Sequence, residues 1–193
     1  MQSPRTARPP SRDLTARAHA WLLPVLQPGA TALDATCGNG HDTLFLARAV
    51  APQGQVHAID IQTAAIERAR SRLDAAGYST SVQWHSGDHA ELGQWLPPLR
   101  LDAAMFNLGW LPRSDSPRVT QPATTRAALD AALALLRPGG RLTVLCYRGH
   151  PGGTEEAEAV EQWQARAGAH RLALEPLQPA PGAPCLHVLA APP

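Results

Sequence analysis

Residues 30–43 read Ala30-Thr31-Ala32-Leu33-Asp34-Ala35-Thr36-Cys37-Gly38-Asn39-Gly40-His41-Asp42-Thr43. A short apolar run over 30–35 ends on a carboxylate, two glycines spaced by one residue follow, and a helical pattern covers 41–50. That is a strand, a tight turn and a helix, with backbone N–H groups gathered where the helix starts. Downstream the alternation repeats. Strands are expected at 55–61, 81–85, 101–107 and 141–147. The helix over 63–76 places Ile66, Ala69, Leu73 and Ala76 on one face and stops at Gly77. A further helix over 124–136, with Leu129, Leu133 and Leu136 on one face, is cut by Pro138-Gly139-Gly140, and 112–123 reads as a loop. After the turn at 148–153, Thr154 is the expected N-cap of a helix whose first turns carry Glu155, Glu156 and Glu158, where the helix dipole favours carboxylates. Upstream, apolar positions over 13–27 suggest a helix ending near 24–29. The tail, 171–193, reads as two short strands around a Pro-rich turn at 176–184. Strand and helix signals in this order imply an α/β, doubly wound, mostly parallel sheet closed by a C-terminal antiparallel hairpin.

At 193 residues the chain suits one domain, expected over 13–193, preceded by a flexible Arg-rich arm at 1–12. Its net charge of +1 carries no global signature of a polyanion binder, so any RNA contact must be local. All 17 basic residues are Arg, which excludes Schiff-base chemistry and the Lys of a phosphate-binding P-loop. Cys37, Cys146 and Cys185 are widely spaced without a C-x-x-C pair, so reduced thiols, no metal and a cytoplasmic location are expected. No apolar run approaches the ~20 residues of a membrane span. The arm's Arg5, Arg8 and Arg12, with Ser and Pro, are also compatible with a transit peptide.

The turn after the first strand departs from a dinucleotide fingerprint, because Thr43 stands where a third Gly would be wanted and Asp34 precedes the glycines. A carboxylate there suits the cationic amino group of S-adenosylmethionine and would repel a pyrophosphate. Asp60 ends the second strand 20 residues after Gly40, where it can accept both ribose hydroxyls. Ser86-Gly87-Asp88 follows the third strand, with Asp88 placed to take an adenine amino group, and Asn107 follows the fourth. Singly, each has an ordinary reading as a cap or a turn; together they bring polar groups from four strand ends to one crevice. The expected cofactor site is Asp34, Thr36, Gly38, Asn39, Gly40, Asp42, Asp60, Gln62, Ser86, Gly87 and Asp88.

The segments Asp34 to Thr43, Asp60-Ile61-Gln62, Asn107-Leu108-Gly109-Trp110-Leu111-Pro112 and Tyr147-Arg148-Gly149-His150-Pro151-Gly152-Gly153 resemble, in order and spacing, one family. It is the YtqB/MnmM-like group of class I, S-adenosylmethionine-dependent enzymes, long labelled rRNA methylases. The resemblance covers about His19 to Val188, and Cys37, Gly87, Gly152 and Arg113-Ser114-Asp115-Ser116 depart from the family's usual residues. It implies a class I methyltransferase fold, methylation of the exocyclic amine of 5-aminomethyluridine at the tRNA wobble position, and an anticodon stem-loop as partner. An rRNA or small-molecule methyltransferase is the alternative, and an NAD-dependent oxidoreductase or a non-catalytic binding protein belongs to other classes. A homodimer is compatible with the sequence.

In-line methyl transfer needs a neutral nucleophile with its lone pair aligned. Asn107 is the expected acceptor for an amine N–H, occupying the place of the Asn-Pro-Pro-aromatic segment of amino-directed DNA methyltransferases. His150, in a Gly- and Pro-rich turn, is a candidate proton acceptor, and Tyr147 a donor at the wall. Trp110 is placed to stack on a base, with Pro112 beside it and Arg148 for phosphate; Arg113 and Arg118 are further phosphate candidates. His57, His85, His170 and His187 are read as structural.

Overall fold

A computed structural model describes residues 13–96, 100–109, 120–176, 180 and 182–192. The arm expected at 1–12 and the candidate residues Trp110, Pro112, Arg113 and Arg118 lie outside them.

Seven strands form one sheet: β1 (Thr31–Asp34), β2 (Gln55–Asp60), β3 (Val82–Ser86), β4 (Leu101–Leu108), β5 (Leu136–Cys146), β6 (His170–Glu175) and β7 (Cys185–Ala190). Their order is β3-β2-β1-β4-β5-β7-β6. β1 to β5 run parallel, while β7 inserts antiparallel between β5 and β6, so the expected closing hairpin is present. The order reverses direction between β1 and β4, and the crevice beyond their carboxyl ends is where open α/β sheets bind ligands.

Among the described residues six α-helices surround the sheet: α1 (Leu14–Leu22), α2 (His41–Val50), α3 (Thr63–Ala76), α4 (Leu92–Trp95), α5 (Pro122–Leu135) and α6 (Gly153–Gln164). One core packs Leu22, Leu46 and Leu73 of α1–α3 against Ala32, Val56 and Met105; the other packs Leu92, Leu129 and Val160 of α4–α6 against Leu33, Ile59 and Phe106. Alternate residues of β1, Ala32 and Leu33, thus face opposite layers, as the period of a doubly covered strand requires.

Several boundaries differ from the sequence reading. α1 ends at Leu22 instead of continuing to 27, because Pro24 has no N–H to donate and Leu23 to Val25 turn away. α5 starts at Pro122, two residues early, with proline tolerated in the first turn where no intrahelical donor is needed. β5 begins at Leu136 and carries Pro138-Gly139-Gly140 as an irregularity: Leu101 pairs with Leu136, but Ala103 pairs with Arg141. Gly139 is left-handed at φ 73°, and a Cβ on Gly140 would lie 2.9 Å from the Arg137 carbonyl, so the breaker bulges the strand without ending its pairing. The N-cap of α6 is left-handed Gly152, not Thr154, which sits inside the first turn. Glu156 does more than meet the helix dipole: it is buried and accepts the hydroxyls of Thr120 and Thr125 at 2.5 and 2.6 Å, joining α6 to the start of α5. The 3₁₀ turn at His89–Glu91 and the short α4 were not anticipated.

Candidate active site

A cavity of about 1050 Å³ opens at the carboxyl ends of β1, β2, β4 and β5. It lies at the upper end of the ~300–1,000 Å³ usual for ligand pockets, which leaves room for a cofactor and an acceptor group. Thr36, Gly38, Asn39, Asp42, Asp60, Gln62, Gly87, Asp88, Asn107, Tyr147, Arg148 and His150 all line it, so twelve of the anticipated residues meet there.

Three of the anticipated cofactor residues do not line it. Asp34 is 1% exposed, and its carboxylate accepts the Thr43 hydroxyl at 2.6 Å and the Thr36 N–H at 3.3 Å, so it braces the turn from beneath. Thr43, which breaks the dinucleotide pattern, therefore has a positive role. Gly40 is left-handed at φ 77°, and a Cβ there would lie 2.8 Å from Ala69, so this glycine lets α2 approach α3. Ser86 turns its hydroxyl to Thr63 at 3.2 Å.

Asp60 ends β2 with one carboxylate oxygen accepting the Gly38 N–H and the other the Gln62 N–H, each at 2.8 Å. Burial pushes its carboxyl up, opposed by those same two bonds. Each oxygen keeps acceptor capacity for a diol. Beneath it Asp34 is pushed up to about 7, by burial first and then by the charge of Asp42. Asp42 and Asp60 line the cavity and give its floor a negative field, the same field that helps raise Asp34 beneath, and it favours a cationic ligand. Asp88 accepts the Ala90 N–H at 2.9 Å and caps the turn that carries His89. Gly87 is required by packing, since a Cβ would lie 2.4 Å from the Trp95 ring.

On the opposite wall, Asn107 donates its backbone N–H to Thr36 Oγ1 at 2.7 Å and its side-chain N–H to Asp42 Oδ2. A carboxylate only accepts, so the amide must face Asp42 with Nδ2, and Oδ1 points the other way. That Oδ1 is buried and has no partner among the described residues. His150 Nδ1 donates to the Pro151 carbonyl at 3.0 Å, leaving Nε2 as the lone-pair nitrogen, likewise buried and unpartnered among those residues. Gly109, at φ 148°, lets the end of β4 abut this turn, because a Cβ there would lie 3.3 Å from His150 Nε2. Tyr147 is 41% exposed, and Arg148 reaches Glu161 of α6 at 2.5 Å.

Among the polar residues that sequence reasoning missed here, His89 and His19 bear most on the chemistry. His89 lines the cavity directly after Asp88; its ring is held edge-on to Phe106, burial keeps it neutral, and its Nε2 is unpartnered among the described residues. Its position beside Asp88 was the available signal. His19 of α1 bonds the second oxygen of Asp42 at 2.6 Å, and nothing in its spacing announces that contact. The histidines read as structural lie away from the lining; His57 and His85 approach at 3.2 Å, and His85 stacks on Trp95. The widely spaced Cys146 and Cys185 prove to be register partners, with His187 Nε2 3.6 Å from Cys185 Sγ. Among the described residues no helix is long and apolar enough to cross a membrane.

The donor set fits S-adenosylmethionine: a bonded carboxylate with spare acceptor capacity ends β2, Asp42 and Asp60 line a negative floor, and Asn107 and His150, each with a buried atom unpartnered among the described residues, line the rest of the cavity. Comparison with known proteins agrees. A chloroplastic tRNA (mnm(5)s(2)U34)-methyltransferase of Arabidopsis thaliana is 42% identical over 159 residues, covering 78% of this chain and 58% of that protein. The chain spans little more than half the length of the curated relatives it first matches. A Clostridium thermocellum protein described as a putative rRNA-methylase superposes with a TM-score of 0.87 at 31% identity, covering 94% of this chain and 98% of that one. A Streptococcus mutans putative methyltransferase solved with SAH gives 0.81 at 30% identity, covering 94% and 99%. The family model described as "Putative rRNA methylase" matches residues 56–179, and the chain belongs to that family, with its class I methyltransferase fold and its S-adenosylmethionine pocket.

Proposed function

We propose that the chain is an S-adenosylmethionine-dependent RNA N-methyltransferase acting on the exocyclic amine of 5-aminomethyluridine at the tRNA wobble position. The observation that carries this reading is Asn107: it lines the cavity, its Nδ2 is committed to Asp42, and its Oδ1 is buried and unpartnered among the described residues. A carbonyl oxygen so placed can accept an N–H from a primary amine and so aim the nitrogen lone pair. The Arabidopsis relative, named for a tRNA methyltransferase, supports the substrate class.

When bound, the cofactor supplies an electrophilic methyl group on a sulfonium. The residues of the chain do the rest. Asp60 would hold the ribose end, Asp42 on the cavity floor would favour the cationic end, and Asn107 would orient the amine. A neutral amine that accepted the methyl group would become cationic and have a proton to lose. His150 Nε2 holds the free lone pair that can take it. Arg148, which lines the cavity and is ion-paired with Glu161, is the candidate cation for the RNA backbone, and a cytoplasmic location goes with this reading.

The test is incubation with labelled S-adenosylmethionine and tRNA carrying an unmethylated 5-aminomethyluridine, followed by nucleoside analysis. Label is expected in the methylated wobble nucleoside. Label confined to rRNA would replace the substrate, and label in neither RNA would overturn the reading.

A further inference from the structure

α1 precedes the first strand, yet it reaches the cavity: Thr15 lines it, and His19, one turn on, bonds Asp42 Oδ1 at 2.6 Å. The carboxylate is therefore held at both ends, by His19 through Oδ1 and by Asn107 through Oδ2. It also sits in the first turn of α2, where the helix dipole favours negative charge. Because the carboxylate only accepts, His19 must present Nε2–H to it. The His19 ring lies flat on Phe45, with centroids 3.7 Å apart and planes 6° apart.

α1 itself is fastened from the far side. Arg17 pairs with Glu175, the Trp21 indole donates to Glu175 at 2.9 Å, and Arg141 of β5 donates to the Trp21 carbonyl at 2.6 Å. Ala18 and Leu22 are buried on the sheet. The helix thus has little freedom to carry His19 away from Asp42.

We infer that His19 is a positioning residue for methyl transfer: through Asp42 it fixes the Asn107 amide so that Oδ1 is presented to the acceptor. The inference rests on the reading of the cavity as an amine N-methyltransferase site. Without the His19 bond, Asp42 can swing on its Cα–Cβ bond, and the Asn107 amide loses the anchor that decides which of its ends faces the nucleophile. A rotated amide would present N–H groups to the amine, and these would engage the lone pair that has to attack. His19 touches neither reactant and acts only through the chain of two bonds.

The substitution His19→Phe separates this role from packing, since it keeps a ring on Phe45 and removes only the donor. Turnover on tRNA is expected to fall about tenfold, the scale of misaligning a reacting group at second hand, with the S-adenosylmethionine Kd and KM within about twofold of the parent. His19→Gln, whose side-chain N–H can reach the same carboxylate, should recover part of that loss. In an Asn107→Ala background His19→Phe should cause no further loss, because the two act as one unit. The Asn107 side-chain amide resonances provide a readout without turnover. A proton shared with Asp42 should lie downfield in the parent and move or broaden in His19→Phe. Unchanged turnover together with unmoved Asn107 resonances would overturn the inference, as would losses that multiply in the double variant. If His19→Phe fails to fold, His19→Leu is read the same way. Should the parent methylate no RNA, the functional reading falls, while the Asn107 resonances still decide whether His19 sets that amide.

Discussion

The two walls of the cavity differ in how their polar groups are satisfied. On the β1–β3 wall the carboxylates are bonded within the fold: Asp60 to the N–H groups of Gly38 and Gln62, Asp88 to Ala90, Asp34 to Thr36 and Thr43. On the β4–β5 wall Asn107 Oδ1 and His150 Nε2 are buried with no partner among the described residues. Leaving such an atom unpaired costs about 1–3 kcal/mol, so the second wall is held ready for groups that arrive with the acceptor. The carboxylates of the first wall are satisfied within the fold, and among the described residues lining it His89 Nε2 is buried without a partner. A preformed cofactor wall and an unsatisfied acceptor wall are what a two-substrate transfer needs: one ligand is bound in the ground state, the other is completed at the transition state.

Substitution on the acceptor wall should produce the largest effect. Asn107→Ala is expected to lower turnover on the order of a hundredfold while leaving S-adenosylmethionine affinity nearly unchanged, since the lost contact strengthens only as the amine reacts. Single-turnover rates and calorimetry on the same preparation check this. Normal turnover would reduce the Asn107 segment to a structural turn and break the comparison. The mirror experiment is Asp60→Ala, which removes charge-assisted bonds of ~1.5–3 kcal/mol each and should weaken S-adenosylmethionine binding at least tenfold. Unchanged binding by a folded Asp60→Ala protein would mean that the cofactor does not lie on the preformed wall.

The strand-end groups of the preformed wall were legible in the sequence for a physical reason. Its groups follow strand ends at short, regular spacings, and hydrophobic periodicity locates strand ends well. Asp34, Asp60 and Asp88 could be placed from three apolar runs, although only the structure shows that Asp34 is buried beneath the turn. The acceptor wall depends on contacts between distant elements. His19 meets Asp42 across 23 residues, and no period links a residue before the first strand to the start of α2. Cys146 and Cys185 meet through antiparallel register, which only the folded hairpin sets. Pro138-Gly139-Gly140 misleads for a related reason: local chemistry reads as a stop, while pairing with β4 carries the strand through it.

A smaller effect is expected at His150, on the acceptor wall. An aliphatic amine is mostly protonated near neutrality, so turnover should climb with pH. If His150 Nε2 takes the proton, His150→Ala should lower turnover on the order of tenfold, within the range general bases contribute, and change the shape of the pH–rate profile. A parallel profile at full rate would show that the proton leaves to solvent, and that only Asn107 on this wall takes part in the reaction.

The smallest effect concerns the preformed wall and needs no substrate RNA. In the folded protein Asp34 is held up to about 7 against an ordinary value of 3.8, chiefly by burial and then by the charge of Asp42. Between those values the folded chain keeps a proton that the unfolded chain releases. The associated stability is complete below about pH 4 and is lost as pH rises through about 7. His57 has the opposite sign: burial lowers it from 6.5 to about 4, so its contribution is lost as pH falls through that window. Asp34→Asn isolates the first term, because an amide can still meet Thr43 and Thr36 but cannot ionise. Its melting temperature should decline less than that of the parent between pH 5 and 8. A cationic ligand above should also pull the Asp34 proton off, so calorimetry near pH 6.5 in buffers of different ionisation enthalpy should register proton release when S-adenosylmethionine binds. That release should be smaller in Asp34→Asn. Equal release in both proteins would mean that Asp34 braces the turn without sensing the charge above it, and the negative floor would then rest on Asp42 and Asp60 alone.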